Sequence, residues 1–356
     1  MINVLVLFSA AGLGGAERSL TRMCLANSAP DITYRLGTVD GEGEWTRWVR
    51  ACGVEPLVLP SVASFWALRR TLRELAPSVV YAVGLRSCIL VRLIKLTLPR
   101  LRVVHAIRTS FPPGSELTVR YGHSERLLRR LTAAYIANSQ AGRDSLSRIA
   151  GVDRKAIHVI PNGVELPLPP PQPVSMRPKN VAVIANLHPL KGHLPFLEVI
   201  ATVARQHPDV RFLFVGRDDL NGAIQRAVAQ QGLESNVRFE GFQRDIAPFL
   251  AAARMLVLPS RVTEGAPTAI LEAQAAALPT LAYGVGGVRE LIRDGVDGHV
   301  EEVTDVGAMS AAIVSLLDDP VRAEQMGLAA RRKVQEQYSL AACSDRHAVI
   351  WREICG

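Results

Sequence analysis

The chain has 356 residues, 48% of them hydrophobic and 21% charged, with a formal net charge of +8. This length favours two domains over one core, and the composition excludes a disordered chain. The longest apolar runs are too short to span a bilayer, and no basic residue precedes the first, so we predict neither a membrane-spanning helix nor a secretory signal.

The five cysteines are an odd number and form no C-x-x-C pair. This pattern is typical of buried or inert thiols in a reduced cytoplasm, without a metal site. We therefore expect a cytoplasmic protein.

In the first half of the chain, short β-like runs alternate with helical runs, which indicates βαβ units and a parallel sheet. Helices are predicted at 16–27, 65–75 and 87–96. The predicted strands are 4–8, 34–39, 54–59, 79–83, 103–107 and 135–137. We assign residues 1–165 to a first, Rossmann-like domain.

The loop after the first predicted strand is rich in glycine and includes Gly12, Gly14 and Gly15. A dinucleotide fingerprint starting at Gly12 requires a third glycine at position 17, where this chain has Glu17. We therefore exclude a nicotinamide or flavin cofactor. Either a tight turn or a functional loop fits what remains.

Basic residues are concentrated between positions 86 and 148, which hold 12 Lys or Arg against 3 Asp or Glu. Residues 1–165 carry a net charge of +10 and the rest of the chain −2. Such a surface attracts anionic lipid or phosphorylated acceptors, or it is simply a solvated face. Nucleic acid is not expected, because aromatics are only 5% of the chain. The residues concerned are Arg86, Arg92, Lys95, Arg100 and Arg102 around the apolar run 89–98, and Arg126, Arg129 and Arg130 on a second helix.

A proline-rich run at 166–178 predicts an extended, stiff linker. The βα pattern then restarts and predicts a second domain at 179–338, with a final helix at 339–356. Strands are predicted at 181–185, 211–215, 237–239, 255–258, 280–283 and 299–301, and tail helices at 308–317, 323–335 and 340–354. Two such doubly wound domains would face each other across a cleft at the carboxyl ends of their strands.

The stretch 260–272 follows a predicted strand and leads into a predicted helix. Pro267 suits the first helical position, and the amides at a helix N-terminus favour an anion. Glu264 in the loop and Glu272 in the helix are hydroxyl acceptors, suited to a ribose diol or a sugar beside a phosphate. The alternative is a surface loop with two solvated glutamates.

Glu264-Gly-Ala-Pro, Glu272-Ala and the glycine-rich run 278–295 together resemble the donor-binding signature of the family-4 retaining glycosyltransferases. The family's other features recur in order in this sequence: Gly14-Gly15-Ala-Glu17-Arg18, Asn138-Ser139, Ile160-Pro-Asn162-Gly163-Val164 and Lys191-Gly192. The resemblance implies an α/β protein of GT-B fold, with a C-terminal helix that crosses back to the first domain. Tyr338 and Trp351 are expected to pack there.

The resemblance also implies roles for individual residues. Glu264, Lys191 and Arg108 are the expected catalytic residues. On the donor side we expect Gly14, Gly15, Asn186, Lys191, Gly265, Ala266, Pro267, Thr268 and Glu272, and on the acceptor side Glu17, Asn138 and Ser139. The family usually has arginine where this chain has Asn186, and Arg108 or Arg261 is the expected compensating cation. His105 is expected to be a core histidine on the face opposite Arg108, and Ser139 also suits a helix N-cap.

The resulting hypothesis is a hexosyltransferase-type retaining enzyme that moves a sugar from a UDP- or GDP-sugar to a glycan or lipid-linked acceptor. We expect no cofactor and no metal, and peripheral association with the anionic inner face of the cytoplasmic membrane. The alternatives are a GT-B nucleotide-sugar epimerase or hydrolase, and a non-catalytic nucleotide-sugar-binding membrane scaffold.

Overall fold

The structure is a computed structural model that describes residues 1–59, 64–112, 114–167, 172–303 and 305–356. The chain folds into two compact units. Unit 1 comprises Met1–Gly163 and Leu340–Gly356, and unit 2 comprises Val164–Ser339. Of the predicted linker at 166–178, residues 168–171 lie outside the described residues, and Val174 is buried in the core of unit 2.

Unit 1 contains a parallel sheet of seven strands in the order β3-β2-β1-β4-β5-β6-β7. Its strands are β1 (Ile2–Phe8), β2 (Ile32–Thr38), β3 (Leu57–Val58), β4 (Val79–Val83), β5 (Val103–Ile107), β6 (Ala134–Ala137) and β7 (Ile157–Val159). Its helices are α1 (Gly15–Leu25), α2 (Glu44–Ala51), α3 (Ser64–Leu75), α4 (Leu85–Lys95), α5 (Glu116–Leu128) and α6 (Gln140–Ala150), with α14 (Leu340–Cys355) from the C-terminus. Strands β4 and β5 are buried along their whole length, as expected for a sheet covered on both faces.

The C-terminal helix α14 packs in unit 1, as predicted. Trp351 is fully buried there and donates from Nε1 to Tyr34 Oη at 2.8 Å. Arg352 forms an ion pair with Asp31 at 2.7 Å. The prediction for Tyr338 was wrong, because Tyr338 precedes the crossing and packs in the core of unit 2.

His105 is a core residue, as predicted, and belongs to a buried charged network. Its Nδ1 lies 3.0 Å from Arg92 Nη2, and its Nε2 lies 2.6 Å from Tyr121 Oη. Arg92 forms a buried ion pair with Glu125 at 2.7 Å. Arg92 was therefore wrongly included in the basic surface, since its guanidinium is fully buried.

Unit 2 contains a parallel sheet of six strands in the order β10-β9-β8-β11-β12-β13. Its strands are β8 (Asn180–Ile184), β9 (Arg211–Val215), β10 (Val237–Gly241), β11 (Met255–Leu258), β12 (Thr280–Tyr283) and β13 (Gly298–Glu301). Its helices are α7 (His193–Gln206), α8 (Ala223–Gln230), α9 (Ala247–Ala251), α10 (Thr268–Ala275), α11 (Val288–Leu291), α12 (Val306–Asp318) and α13 (Pro320–Gln337).

The strand order of unit 2 reverses direction between β8 and β11, which pair side by side. In open α/β sheets, ligands bind at the carboxyl ends of the strands at such a point. The loops that follow β8 and β11 carry Lys191 and Glu264, respectively. The fold therefore places the two predicted catalytic residues of unit 2 at its switch point.

Candidate functional site

Lys191 is set in place by a tight turn at the end of β8. Pro189–Lys191 forms a single 3-10 turn, and Gly192 follows with φ of +72°. A Cβ atom at Gly192 would lie 2.0 Å from the carbonyl oxygen of Pro259, so only glycine fits at this position. This close approach brings Lys191 to the loop that follows β11.

Glu264 is held by two donors at one oxygen. Lys191 Nζ and Ser260 Oγ each lie 2.5 Å from Glu264 Oε1, and the residue is only 7% exposed. The amide of Gly287 donates to the main-chain oxygen of Glu264 at 3.1 Å. With its carboxylate held by two donors and its main chain by a third, Glu264 has a fixed position, which a group that orients a substrate requires.

Ser260 and Gly287 are site residues to which the sequence interpretation assigned no role. Gly287 lies within the glycine-rich run that resembles the family signature, and Ser260 stands four residues before Glu264. The signal was present for Gly287, but the contact itself spans 23 residues and required the folded loops. Ser260 has no distinguishing pattern in the sequence.

Helix α10 begins one residue later than predicted. Pro267 is its N-cap, with φ of −62° and ψ of 119°, and no side chain caps the helix. Ile270 and Leu271 are buried against the sheet, whereas Glu272 is partly exposed. The N-terminal end of α10 follows directly on the Glu264 loop, so its amides and the Lys191–Glu264 pair belong to one site.

Asn186 ties two loops together. Its Oδ1 accepts a hydrogen bond from the amide of Arg217 at 3.1 Å, which joins the loop after β8 to the loop after β9. Arg261, one of the two expected compensating cations, donates from Nε to the carbonyl of Val303 at 3.0 Å and lies over the Tyr283 ring. The donor-side role of Asn186 stays a prediction.

The predicted residues of unit 1 form a second group, at the carboxyl ends of its strands. Gly14 is the N-cap of α1 and Gly15 its first residue, with Glu17 in the first turn. Burial raises the pKa of Glu17, and hydrogen bonds from the amides of Glu17 and Gly14 and the charge of Arg108 oppose that shift. Burial is the larger effect, so the pKa of Glu17 stays raised although the charge of Arg108 acts against it.

Arg108 follows β5 and is anchored by polar side chains. It donates from Nη2 to Asn162 Oδ1 and, at 3.4 Å, to Ser19 Oγ. Asn138 Nδ2 donates to the carbonyl of Arg108 at 3.4 Å. Ser139 is the N-cap of α6, as predicted, because its Oγ accepts from the amide of Gly142 at 3.0 Å. Burial lowers the pKa of Arg108.

Within the described residues, no group of three or more His, Cys, Asp or Glu is arranged to hold a metal ion. Asp218, which is followed by a second aspartate in the sequence, caps a turn: its carboxylate accepts hydrogen bonds from the amides of Leu220 and Gly222 at 2.8 and 2.7 Å. Across the described part of the chain, no helix combines the length and apolarity that a membrane crossing needs.

Models of known protein families match the sequences of both units. The model for glycosyltransferase family 4 matches residues 13–167, and the model for glycosyl transferases group 1 matches residues 178–319. The chain belongs to the family-4 glycosyltransferases. The two matches together leave only the first residues, a short segment at 168–177 and the last helices outside the family pattern.

Among curated family-4 relatives, the chain is 31% identical to the alpha-D-kanosaminyltransferase of Streptomyces kanamyceticus over 176 residues. That match covers 49% of this chain and 45% of the relative. It is also 31% identical over 174 residues to a GDP-mannose-dependent phosphatidylinositol monomannoside mannosyltransferase of Corynebacterium glutamicum, covering 47% and 45%. The chain thus spans about half the length of these relatives.

Among solved structures, Anabaena Alr3699/HepE in complex with UDP and glucose superposes with a TM-score of 0.87. The match covers 99% of this chain and 100% of that one at 20% identity. At this sequence identity, the structural likeness shows the fold alone. It confirms the predicted GT-B architecture of two parallel-sheet α/β domains.

Proposed function

We propose that this family-4 protein is a retaining, hexosyltransferase-type glycosyltransferase that uses a UDP- or GDP-sugar. The observation that carries the proposal is the Lys191–Glu264 pair, fixed at the switch point of unit 2 beside the N-terminal end of α10. A GDP-mannose-dependent relative and a UDP-bound structural neighbour support this class of donor.

The diphosphate would lie at the N-terminal end of α10. The amides of residues 265–268 and the positive end of the helix dipole suit an anion there. Lys191 adds a whole unit of positive charge to the partial charge of the helix end. In the structure the Lys191 ammonium forms an ion pair with Glu264. A donor diphosphate would compete with Glu264 for this ammonium group as the bond between the diphosphate and the sugar breaks.

Glu272 would accept hydrogen bonds from the ribose hydroxyls. It lies four residues after Thr268, roughly 6 Å along the helix axis at 1.5 Å per residue. This spacing suits a nucleoside whose diphosphate occupies the helix end. A carboxylate would repel the phosphates, which are also anionic, but it is a strong hydrogen-bond acceptor for the two hydroxyls of a diol.

Glu264 would contact the sugar and fix the orientation of its anomeric carbon. Its buried position and its donors Lys191 and Ser260 leave the carboxylate little freedom to reorient. Retention of configuration requires the acceptor to approach the same face of the sugar that the nucleotide leaves. We assign the retaining course to this fixed geometry; the catalytic role of Arg108 in unit 1 stays a prediction.

The acceptor would be a glycan or a lipid-linked glycan, bound by unit 1 at the loop that carries Glu17. The prediction of direct acceptor contact by Asn138 and Ser139 was wrong, because both are buried, at 3% and 0% exposed, and instead hold Arg108 and the start of α6 in place. The exposed surface of unit 1 suits a lipid-linked acceptor: on α5, Arg126 is exposed and Leu127 is 80% exposed, and Leu96 after α4 is 65% exposed. Basic and apolar side chains together favour an anionic bilayer surface. We propose peripheral docking of unit 1 at the inner face of the cytoplasmic membrane.

A panel of UDP- and GDP-sugars tests the proposed function. The donor should raise the melting temperature of the protein, and with a lipid extract it should yield free nucleotide and a labelled acceptor. Free sugar alone would favour the hydrolase, a second nucleotide sugar the epimerase, and binding without turnover the scaffold. Absence of binding by every donor would refute the proposal.

A further inference from the structure

Two buried arginines meet at the C-terminal end of α10, the end opposite the proposed diphosphate site. Arg331 of α13 is 7% exposed, and Arg177 is 3% exposed. Arg331 donates from Nη1 to the carbonyl oxygen of Ala275. Arg177 donates from Nη2 to the carbonyl oxygen of Ala276 at 3.4 Å. The last carbonyls of α10 thus have cationic partners, which suits the negative end of a helix.

The same two arginines also hold the leading segment of unit 2, by which we mean the described residues 164–167 and 172–177. Arg331 donates from Nη2 to the carbonyl of Pro167 at 3.0 Å. Arg177 donates from Nε and Nη2 to the carbonyl of Gln172 at 2.9 and 2.6 Å. Arg331 therefore joins the end of α10 to the segment by which the chain enters unit 2, and Arg177 does so from within that segment.

The leading segment is tied to other parts of unit 2 as well. Arg177 donates from Nη1 to the carbonyls of Leu250 and Ala253, both at 3.1 Å. The amide of Val164 donates to the carbonyl of Tyr338 at 2.9 Å, so the points where the chain enters and leaves unit 2 are paired. The leading segment is therefore held both at the end of unit 2 and, through the arginines, at α10.

Geometry explains the choice of arginine here. The acceptors of both groups are main-chain carbonyl oxygens, and burial lowers the pKa of both guanidinium groups. Burying such a charge is expensive, and apolar side chains could fill the same space at lower cost. A planar guanidinium, however, presents its N–H donors in a rigid fork that fixes two carbonyls relative to each other, whereas an ammonium on a flexible stem holds them less precisely and an apolar group donates nothing.

We propose that Arg331 and Arg177 are positioning residues that fix α10, and with it Glu272, relative to the leading segment of unit 2. The inference rests on the proposed role of α10 in nucleotide binding. Glu272 lies three residues before Ala275, roughly 4.5 Å along the helix axis. A displaced helix end therefore displaces the carboxylate assigned to the ribose.

The test uses the full chain and the variants Arg331→Gln and Arg331→Lys, with Val334→Ala as the matched control. Val334 is buried in the same helix, α13, and its methyl groups have no N–H with which to hold these carbonyls. Affinity is measured by calorimetry with UDP and GDP, and hydrogen exchange reports on the amides of residues 268–276. Arg331→Gln should weaken binding about tenfold and lower protection at the end of α10. Arg331→Lys should not restore affinity, and Val334→Ala should stay within twofold of the parent.

The proposal is overturned if Arg331→Gln keeps the parent's affinity and α10 protection, or if Val334→Ala weakens nucleotide binding equally. Binding of neither nucleotide by the parent would instead refute the proposed function. Hydrogen exchange then still decides the positioning role. Protection lost only around residues 272–276 in Arg331→Gln supports it, whereas uniform loss over the whole of unit 2 contradicts it.

Discussion

At the scale of single residues, the proposed site contains two carboxylates, Glu264 and Glu272, in different surroundings. Glu264 is buried and shares one oxygen between Lys191 and Ser260. Glu272 lies on a partly exposed helical face. A contact made equally in the ground and transition states changes binding, whereas one made at the reacting carbon changes the barrier. The two residues should therefore differ in what they contribute.

We expect Glu272→Ala to weaken nucleotide binding by about 10- to 150-fold, which corresponds to the loss of about 1.5–3 kcal/mol for a charge-assisted hydrogen bond. Glu264→Ala should mainly lower turnover with its donor affinity nearly intact. Calorimetry with nucleotide and steady-state kinetics separate the two effects. Glu234→Ala, at an exposed position of unit 2, serves as the control. Parent-like nucleotide affinity in Glu272→Ala would show the ribose assignment to be wrong.

At the scale of secondary-structure elements, strands β4, β5, β9, β11 and β12 have the bounds that the sequence predicted, because continuous runs of β-branched and apolar residues identify buried parallel strands. β7 (Ile157–Val159) was not predicted, since a three-residue strand is too short to show a pattern. The predicted strand at 54–59 shrank to Leu57–Val58. Arg92 was wrongly assigned to the surface because its buried partner, Glu125, lies 33 residues away, and the sequence pattern does not show that the two residues pair.

The site residues show the same limit. Motif spacing located Lys191 and Glu264 in the loops after β8 and β11, and α10 after the second of these loops. The anchoring contacts of Ser260 and Gly287, and the pairing of Asn186 with Arg217, depend on loops that meet only after folding. The local sequence pattern therefore predicts the strands, loops and helix of the site, but not the hydrogen bonds between its loops.

Helix α5 and the 3-10 turn Arg129–Leu131 that follows it carry the prediction for the membrane surface. Replacing Arg126 and Arg130 by glutamate should lower binding to anionic vesicles more than tenfold, since each basic residue adds about 1 kcal/mol near such a surface. Arg129 is left intact because it donates to the carbonyl of Gly151. Vesicle sedimentation with increasing salt measures the effect.

The matched control for this prediction is the double variant Arg322→Glu and Arg332→Glu, which makes the same change of charge at exposed positions of α13. It should bind vesicles as the parent does. Equal partition of the parent onto neutral and anionic vesicles, or equal loss in both double variants, would rule out docking through α5 and the turn that follows it.

At the scale of the whole molecule, two buried histidines make stability depend on pH. Burial lowers the pKa of His193 to about 4, helped by the charge of Lys191, and burial also lowers the pKa of His347 to about 4. The unfolded chain therefore binds these protons first as the pH falls. The contribution is complete above about pH 6.5 and is lost as the pH falls toward 4.

We expect the free energy of unfolding to fall between pH 7.5 and pH 5, by about 2 kcal/mol for each histidine. Urea denaturation at the two pH values measures it. His193→Phe keeps an aromatic ring against Phe214 and removes one titrating group, so its loss of stability should be smaller. An identical pH dependence in the parent and the variant would contradict the assignment to His193.

Activity should also survive chelation. In the proposed mechanism Lys191 and the amides of α10 balance the charge of the leaving diphosphate, so a divalent ion has no necessary role. The initial rate of nucleotide release is compared with and without EDTA and should change less than twofold. Complete loss in EDTA, restored by Mg²⁺ or Mn²⁺, would refute metal independence.

The central claim is transfer of a sugar with retention at its anomeric carbon. The most direct measurement is the anomeric configuration of the transferred sugar by NMR, after reaction of the accepted UDP- or GDP-sugar with the acceptor that it labels. The account predicts the same configuration in the product as in the donor, with one nucleotide released per sugar transferred. An inverted linkage, or nucleotide release without transfer, would contradict it.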